Sequence, residues 1–140
     1  MTMSTDEISD FLNRVDPPLP GVVGTIDNAG YPSTIPVWYL FEDGVVNIWT
    51  TTKRAWPRHL LREPKVSFAV LENAPPFAAV LIKGTAEIVV EAADHWAKVR
   101  RITERYIAAD EVDGYIEPWP MLDTMCLIHP KKFITWKRGY

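Results

Sequence analysis

The sequence predicts a mainly β protein with two full helices, folded as a small closed or half-closed antiparallel barrel. Three observations support this prediction. Most apolar segments have the length of a strand, turn-forming residues separate them, and only two segments repeat their apolar residues clearly at helical spacing. The 12 prolines of the 140-residue chain fall mostly between these segments. The fold is therefore expected to be built from short strands joined by tight connections.

The chain is predicted to open with a short helix. Ser4 and Glu7 have the spacing of a capping box, in which each side chain satisfies a free backbone N–H group of the first turn. The apolar residues that follow repeat at helical spacing, namely Ile8, Phe11, Leu12 and Val15. Asp16-Pro17-Pro18 ends the pattern. We expect residues 1–20 to form a helix and linker, and residues 21–140 to form the β part of a single domain.

Three strands joined by tight turns are predicted next, at residues 22–26, 33–41 and 45–51. Residues 27–30 and 42–44 supply the Asp, Asn and Gly that turns prefer. In the second strand, residues 35, 37, 39 and 41 share one face because side chains alternate along a strand. Pro36 indicates a bulge or an unpaired position there. We expect these strands to form an antiparallel meander.

The second half of the chain continues this pattern. Residues 53–62 are predicted as a short basic helix, and residues 65–71 and 77–90 as strands. Residues 91–108 give the clearest helix. It has one apolar stripe and, opposite it, a face predicted to be solvent-exposed, formed by Asp94, Lys98, Arg101 and Arg105. A loop over residues 110–120 leads to two final strands at 124–128 and 133–137.

Composition and charge exclude several classes of protein. The 15 Lys and Arg residues against 18 Asp and Glu give a net charge of -3, which offers no field to attract nucleic acid or an acidic membrane. A single cysteine, Cys126, excludes a disulfide framework, and the three histidines lie too far apart for a metal motif. Residues 1–14 do not resemble a secretory signal, and the longest apolar run, residues 77–82, is too short to span a membrane. We expect a cytoplasmic protein without a metal.

Hydroxyl and cationic side chains gather in residues 49–58, where a strand ends and a helix begins. They are Thr50, Thr51, Thr52, Lys53, Arg54 and Arg58. Free N–H groups and the helix dipole favour an anion at such a place, and the arginine fork matches phosphate oxygens. The segment is either a phosphate site or an ordinary solvated basic turn, and the residues alone leave both interpretations open.

Aromatic residues are the second candidate feature. Flat rings of a ligand stack well on Trp38, Tyr39, Trp49, Trp56, Trp119 and Trp136. The same residues would also fill a small core or a dimer interface. Cys126 lies in an apolar strand and is expected to be a buried, inert thiol, and the three histidines are expected to be structural. No nucleophile elbow or Gly-rich phosphate loop is present, so catalytic residues are not assigned and any reaction is expected to depend on a cofactor.

The segment Gly21-Val-Val-Gly-Thr-Ile-Asp-Asn-Ala-Gly-Tyr-Pro-Ser-Thr-Ile-Pro-Val-Trp38 resembles the opening hairpin of the pyridoxamine 5'-phosphate oxidase-like family. The flavin and deazaflavin oxidoreductase branch is the most similar. Later elements follow in the family's order: Thr50-Thr51, Lys53-Arg54, His59-Leu60, Glu63-Pro64-Lys-Val-Ser67 and Pro130 to Trp136. The resemblance covers residues 21–136, and the order of these loose motifs makes it specific.

The resemblance implies a split β-barrel of six or seven antiparallel strands in a Greek-key-like arrangement. It implies a homodimer that binds FMN, or alternatively the deazaflavin F-420, in grooves between the subunits; haem is the least favoured cofactor. By position, Thr50, Thr51, Lys53, Arg54 and Arg58 would hold phosphate. Ile35, Pro36, Val37 and Trp38 would pass along the ring, with Trp49 and Trp56 beside it. Trp136, with Arg138, would approach from the partner chain.

One departure from the family pattern concerns the phosphate site. The usual lysine falls at Trp56 and the usual asparagine at His59, so Lys53, Arg54 or Arg58 would have to replace the lost charge. The function expected first is a flavin- or deazaflavin-dependent oxidoreductase acting on a small organic substrate. The alternatives are a non-catalytic flavin- or tetrapyrrole-binding protein of the same fold and a cofactor-free interaction module.

Overall fold

The computed structural model describes residues 2–139, which contain seven strands, four α-helices and one short 3₁₀ turn. The strands are β1 (Gly21–Ile26), β2 (Pro32–Val37), β3 (Leu40–Glu42), β4 (Val45–Thr50), β5 (Lys65–Leu71), β6 (Ala79–Val90) and β7 (Thr124–Trp136). The helices are α1 (Thr5–Leu12), α2 (Ala55–Arg62), α3 (His95–Glu104) and α4 (Val112–Ile116), and the 3₁₀ turn covers Ala109–Glu111. The mainly β prediction and the strand number are confirmed.

All seven strands form one antiparallel sheet in the order β2-β1-β5-β6-β7-β4-β3. The predicted meander is wrong, because the β1–β2 hairpin lies at one end of this order and the β3–β4 hairpin at the other. Alternation along a strand indicates which side chains share a face, but it does not identify the neighbouring strand. As a result, only Trp38 and Tyr39 connect the two end strands β2 and β3.

Two predicted strand boundaries are corrected by side-chain packing. The expected strand 33–41 breaks at Trp38 and Tyr39, because Tyr39 turns into the core and donates its hydroxyl to the Leu12 carbonyl at 2.7 Å. The two expected final strands are one strand, β7, that continues through Pro130. Its pairing shifts by one residue opposite Gly84, where an added Cβ would lie 2.2 Å from the His129 carbonyl oxygen. Glycine therefore allows the bulge that accommodates the proline.

The helix predictions also need correction. The structure has four α-helices within residues 2–139, more than the two full helices expected. Three of them, α1, α2 and α3, lie in segments predicted as helical, whereas α4 lies inside the predicted loop 110–120. The long helix predicted over residues 91–108 is limited to α3. Arg105, assigned to the solvent-facing side, is only 9% exposed, because its guanidinium donates to the backbone carbonyls of Leu12, Arg14 and Tyr39.

The main core lies between one face of the sheet and α1. The predicted capping box is present: Glu7 N donates to Ser4 Oγ at 3.2 Å, and Ser4 N donates to Glu7 Oε1 at 3.0 Å. The buried side chains of α1 are Ile8, Phe11 and Leu12, and they pack in one cluster with strand residues such as Val23, Phe68 and Ile82. Each such side chain stabilises the fold by about 1.5–3 kcal/mol. Helix α1 thus fixes the place where Tyr39 is anchored.

No helix in residues 2–139 is long and apolar enough to cross a membrane. The division of the chain into residues 1–20 and a cofactor-binding part at residues 21–140 stays a prediction.

Candidate functional site

A cavity of about 340 Å³ lies beside the link between β2 and β3. Seven of the predicted site residues form part of its wall: Ile35, Pro36, Val37, Trp38, Trp49, Arg54 and Trp56. The rest of the wall consists of Pro20, Ile102, Tyr115, Trp119 and Leu122. Its volume falls within the roughly 300–1,000 Å³ typical of ligand sites. The structure therefore brings together residues 35–38, Trp49 and Trp56, which were predicted to lie beside a flat ring, and Arg54, which was predicted to lie at a phosphate.

A second cavity, of about 510 Å³, shares Ile35, Arg54 and Trp56 with the first. Its other lining residues are Ser33, Thr34, Ala55 and His59. Aromatic side chains dominate the wall of the first cavity. The second has hydroxyl and imidazole side chains among its lining residues, although most of the surface that lines it is apolar. Arg54 lines both cavities and is the cation that they share.

The aromatic wall is ordered by ring contacts. Trp38 lies between two tyrosines, with its ring 4.8 Å from Tyr106 at an angle of 6° and 5.1 Å from Tyr115 at 28°. Trp49 donates its indole N–H to the Leu122 carbonyl and meets the ring of Trp96 edge-on at 6.1 Å. Offset stacking of this kind contributes about 0.5–1.5 kcal/mol beyond the area that it buries. The wall is thus a packed arrangement of rings rather than a set of loose side chains.

Helix α2 begins at residues that line both cavities, Arg54 and Trp56. Arg54 is the N-cap residue with extended backbone angles, and no side chain caps the helix. The first turn contains no acidic residue. The opening N–H groups of a helix have no partner inside it, and Pro57 lacks an N–H altogether, which leaves those of Ala55 and Trp56. An anion at this position would gain about 0.3–1 kcal/mol from the helix dipole.

Five other predicted residues lie away from the cavity walls. Thr50 and Thr51 are buried, and the Thr50 hydroxyl has no hydrogen-bond partner among the described residues. Lys53 and Arg58 are exposed near the start of α2. Trp136 lies at the far end of β7, opposite Ala79, and donates its indole N–H to the Phe77 carbonyl at 3.1 Å. Their roles at phosphate or at a partner's site stay predictions.

Some wall residues were missed by the sequence reasoning. Tyr115 belongs to α4, in the segment interpreted as a loop, and Ile102 belongs to the buried face of α3. Tyr39, a candidate ring wall, lies instead in the core, where its ring meets Phe68 edge-on at 5.1 Å and burial raises its pKa. Trp119 was a candidate and does line the cavity, with 44% of its surface exposed. Had residues 112–116 been interpreted as a helix, Tyr115 could have been proposed as a wall residue from the sequence.

Titratable groups near the site offer little reactive chemistry. Burial raises the pKa of the Cys126 thiol to about 12, so it is the buried, inert thiol that was predicted. His95 Nε2 donates to the Leu122 carbonyl at 2.8 Å, and His59 Nδ1 lies 2.9 Å from the Thr25 hydroxyl. Residues 2–139 contain no cluster of three or more His, Cys, Asp or Glu side chains with metal-binding geometry. The first cavity therefore offers a ligand aromatic surface, apolar contact and one guanidinium.

Comparison with known proteins identifies the family and the fold of the chain. The sequence model of the pyridoxamine 5'-phosphate oxidase family matches residues 4–137. No protein with a curated description matches the sequence significantly. The fold is similar to that of the conserved hypothetical protein Rv2991 from Mycobacterium tuberculosis, with a TM-score of 0.79 and 25% identity over 97% of this chain and 86% of that one.

Two further structures show the range of this fold. An F420 reductase superposes with a TM-score of 0.72 and 22% identity, over 90% of this chain and 94% of the other. The haem storage protein HutZ from Vibrio cholerae superposes with a TM-score of 0.69 and 17% identity, over 97% of this chain and 95% of the other. The resemblance found in the sequence is confirmed, and the chain belongs to the pyridoxamine 5'-phosphate oxidase family.

Proposed function

We propose that this protein is an oxidoreductase that binds FMN, or alternatively the deazaflavin F-420, and acts on a small organic substrate. The observation that carries the proposal is the aromatic wall of the first cavity, which also contains Arg54 at the uncapped start of α2. A flavin has matching parts, since its flat ring is connected by a short chain to a phosphate. The family and the F420 reductase with the same fold support this choice.

The residues present fit such a cofactor. The ring fits the first cavity along Ile35–Trp38, and the phosphate fits beside Arg54 and the uncapped start of α2. Strand β2 is an end strand that pairs only with β1 within the described sheet, so one row of its backbone groups is outside the ladder. Those N–H and C=O groups would form hydrogen bonds with the polar edge of the flavin ring. Trp56, which is 5% exposed, takes the family lysine's place as an apolar wall, and Arg54 supplies the charge instead.

The cofactor would supply hydride or electron transfer, which protein side chains do not perform. The protein's own part is to hold and shield it. Trp38, Trp49 and Trp56 would exclude water from the ring, and Arg54 would neutralise phosphate charge. The first cavity's wall, within the described chain, has no carboxylate or imidazole. We therefore assign no side chain as a general acid or base, and the chain's role is binding and orientation.

We further propose that the protein is a homodimer with a split-barrel fold. One row of apolar side chains crosses five strands on the outer face of the sheet: Pro36, Val22, Ala69, Leu81 and Ile134. Directly opposed residues of antiparallel strands share a face, and each of these five is at least partly exposed. Pro36 also belongs to the cavity wall, and Trp136 lies two residues beyond Ile134 on the same face. A second subunit on this row would bring its Trp136 towards a shared site.

Titration of the apoprotein with FMN and with F-420 tests the proposal. We expect saturable binding of at least one, accompanied by quenching of tryptophan fluorescence and by turnover of the reduced cofactor with an electron acceptor. FMN is the first choice because Arg54 is the only cation on the described walls of either cavity. Tighter binding of F-420 by tenfold or more, about 1.4 kcal/mol, would reverse that order. Binding without turnover would leave a non-catalytic carrier, and binding of neither would reject the proposal.

A tetrapyrrole-binding function is the second candidate, and one observation favours it. His59 borders the second cavity, where a histidine nitrogen is a suitable axial ligand for haem iron, and a haem storage protein shares the fold. Its Nδ1 faces Thr25, so Nε2 would be the ligand atom. A Soret band after addition of haem that is lost in His59→Ala, with no binding of FMN, would select this function.

A further inference from the structure

We infer that Arg105 and Tyr106 are positioning residues that set the orientation of the cavity's aromatic wall, although neither lines the cavity itself. The geometry stands independently of the cofactor, whereas the effect on ligand binding rests on the proposed function. The two residues follow α3 and connect three separate parts of the chain: the end of α1, the segment before β1, and the link between β2 and β3.

Arg105 forms the centre of this connection. Its guanidinium donates to the carbonyl of Leu12 at 2.9 Å, to that of Arg14 at 3.0 Å and to that of Tyr39. It also donates to the Tyr106 hydroxyl at 2.9 Å, and it lies over the Tyr39 ring at 4.5 Å. None of the ion pairs among the described residues includes it. The acceptors of this buried charge are therefore mainly backbone carbonyls, which hold the main chain on both sides of the cavity wall.

Tyr106 transmits this arrangement to the wall. Its hydroxyl donates to the Leu19 carbonyl at 3.0 Å and accepts from Arg105 and, at 3.4 Å, from the Tyr39 N–H. Leu19 directly precedes Pro20, and Tyr39 directly follows Trp38, and both Pro20 and Trp38 line the cavity. The Tyr106 ring lies almost parallel to the Trp38 indole, at 6°. One side chain thus fixes two wall positions that are far apart in sequence.

The other face of Trp38 is less constrained. Tyr115 covers it at 28°, is 41% exposed, and belongs to α4, a helix of five residues. Because a half-exposed ring on a short helix restricts its neighbour less than a ring held by three hydrogen bonds, the orientation of Trp38 depends on Tyr106. Because tyrosines cover both faces, a ligand would meet the edge of the Trp38 indole, which is already oriented, and less ordering is needed on binding.

The chain offers a matched pair of variants to test this. Tyr106→Phe and Tyr39→Phe each remove one hydroxyl that donates to a backbone carbonyl, that of Leu19 in the first case and that of Leu12 in the second. The Tyr39 ring, however, packs in the core against Phe68 rather than on Trp38. Both variants are expected to lower the melting temperature. Only Tyr106→Phe should change the tryptophan region of the near-ultraviolet circular dichroism of the apoprotein, and weaken FMN binding by about three- to tenfold.

Several results would overturn the inference. One is a Tyr106→Phe variant with the parent's tryptophan dichroism and FMN affinity, and another is an equal loss of affinity in both variants, which would indicate a general effect of stability. Arg105→Lys keeps the charge but loses the planar fork. It should reproduce the change in dichroism, and an unchanged spectrum in a folded Arg105→Lys variant would also contradict the inference. If the parent binds no flavin, the proposed function fails, and the dichroism of the apoproteins alone decides the positioning role.

Discussion

Replacing Arg54 by alanine should weaken FMN binding while leaving the fold intact. Arg54 is the cation that lines both cavities, and it is the N-cap residue at the uncapped start of α2. A hydrogen bond to a charged group contributes about 1.5–3 kcal/mol, so the dissociation constant for FMN should rise roughly 10- to 150-fold. The side chain is exposed and makes no capping bond, so the free energy of unfolding should change by no more than about 0.5 kcal/mol.

The assay is a fluorescence titration of the apoprotein with FMN and with riboflavin, which has the same ring but no phosphate. Arg54→Ala should lose affinity for FMN and keep its affinity for riboflavin. Arg62→Ala is the control, because it removes the same charge from the other end of α2, about 12 Å away, beyond the Debye length of about 8 Å at physiological salt. Equal losses for FMN and riboflavin would show that Arg54 contacts the ring. Unchanged FMN affinity would refute the phosphate assignment.

Three other predictions follow from the structure. Since burial raises the pKa of Cys126 to about 12, a thiol reagent at neutral pH should label the protein only after unfolding, and rapid labelling of the native state would contradict the buried position. Hydrogen bonds from Lys137 and from the Ser4 backbone lower the pKa of Glu7 from 4.5 to about 2, so its ionised form stabilises the fold above pH 4.5 and this contribution is lost as the pH falls towards 2. The difference in melting temperature between the parent and Glu7→Gln should therefore shrink over that range, whereas a constant difference would exclude an ionic role. Sedimentation should show a dimer at micromolar concentration that Leu81→Lys shifts towards monomer, and a monomeric parent would reject the shared site.

Local pattern was enough to predict several elements of this fold. Strand β5 has the predicted bounds, because Val66, Phe68 and Val70 alternate with solvent-facing residues and Pro64 marks the start. The capping box of α1 was predicted for the same reason, since its partners are three residues apart. The strand order was not predictable in this way. Pairing between β1 and β5 depends on contacts about 45 residues apart, which period-two patterns do not encode.

In the candidate site, too, the features that depend on neighbouring residues were predicted, and those that depend on distant contacts were not. The sequence identified residues 35–38 and the start of α2 as site segments, and the structure places both on one cavity. Tyr115 was missed because the short helix α4 has too few turns to show a period. Arg105 was misassigned because helical spacing does not identify the distant groups that bury a charged side chain. Its actual partners, the carbonyls of Leu12, Arg14 and Tyr39, carry no signal in the sequence.

The two-residue link between β2 and β3 has a mechanical consequence. In a flat sheet of seven strands, the two end strands would lie about 29 Å apart, at about 4.8 Å per neighbouring pair. Trp38 and Tyr39 allow only about 10 Å between the residues that flank them. The sheet must therefore curve until Val37 at the end of β2 and Leu40 at the start of β3 lie within that distance, and the short link limits how far the sheet can flatten. Because Trp38 also lines the first cavity, a longer link would allow the sheet to flatten and would change the shape of that cavity.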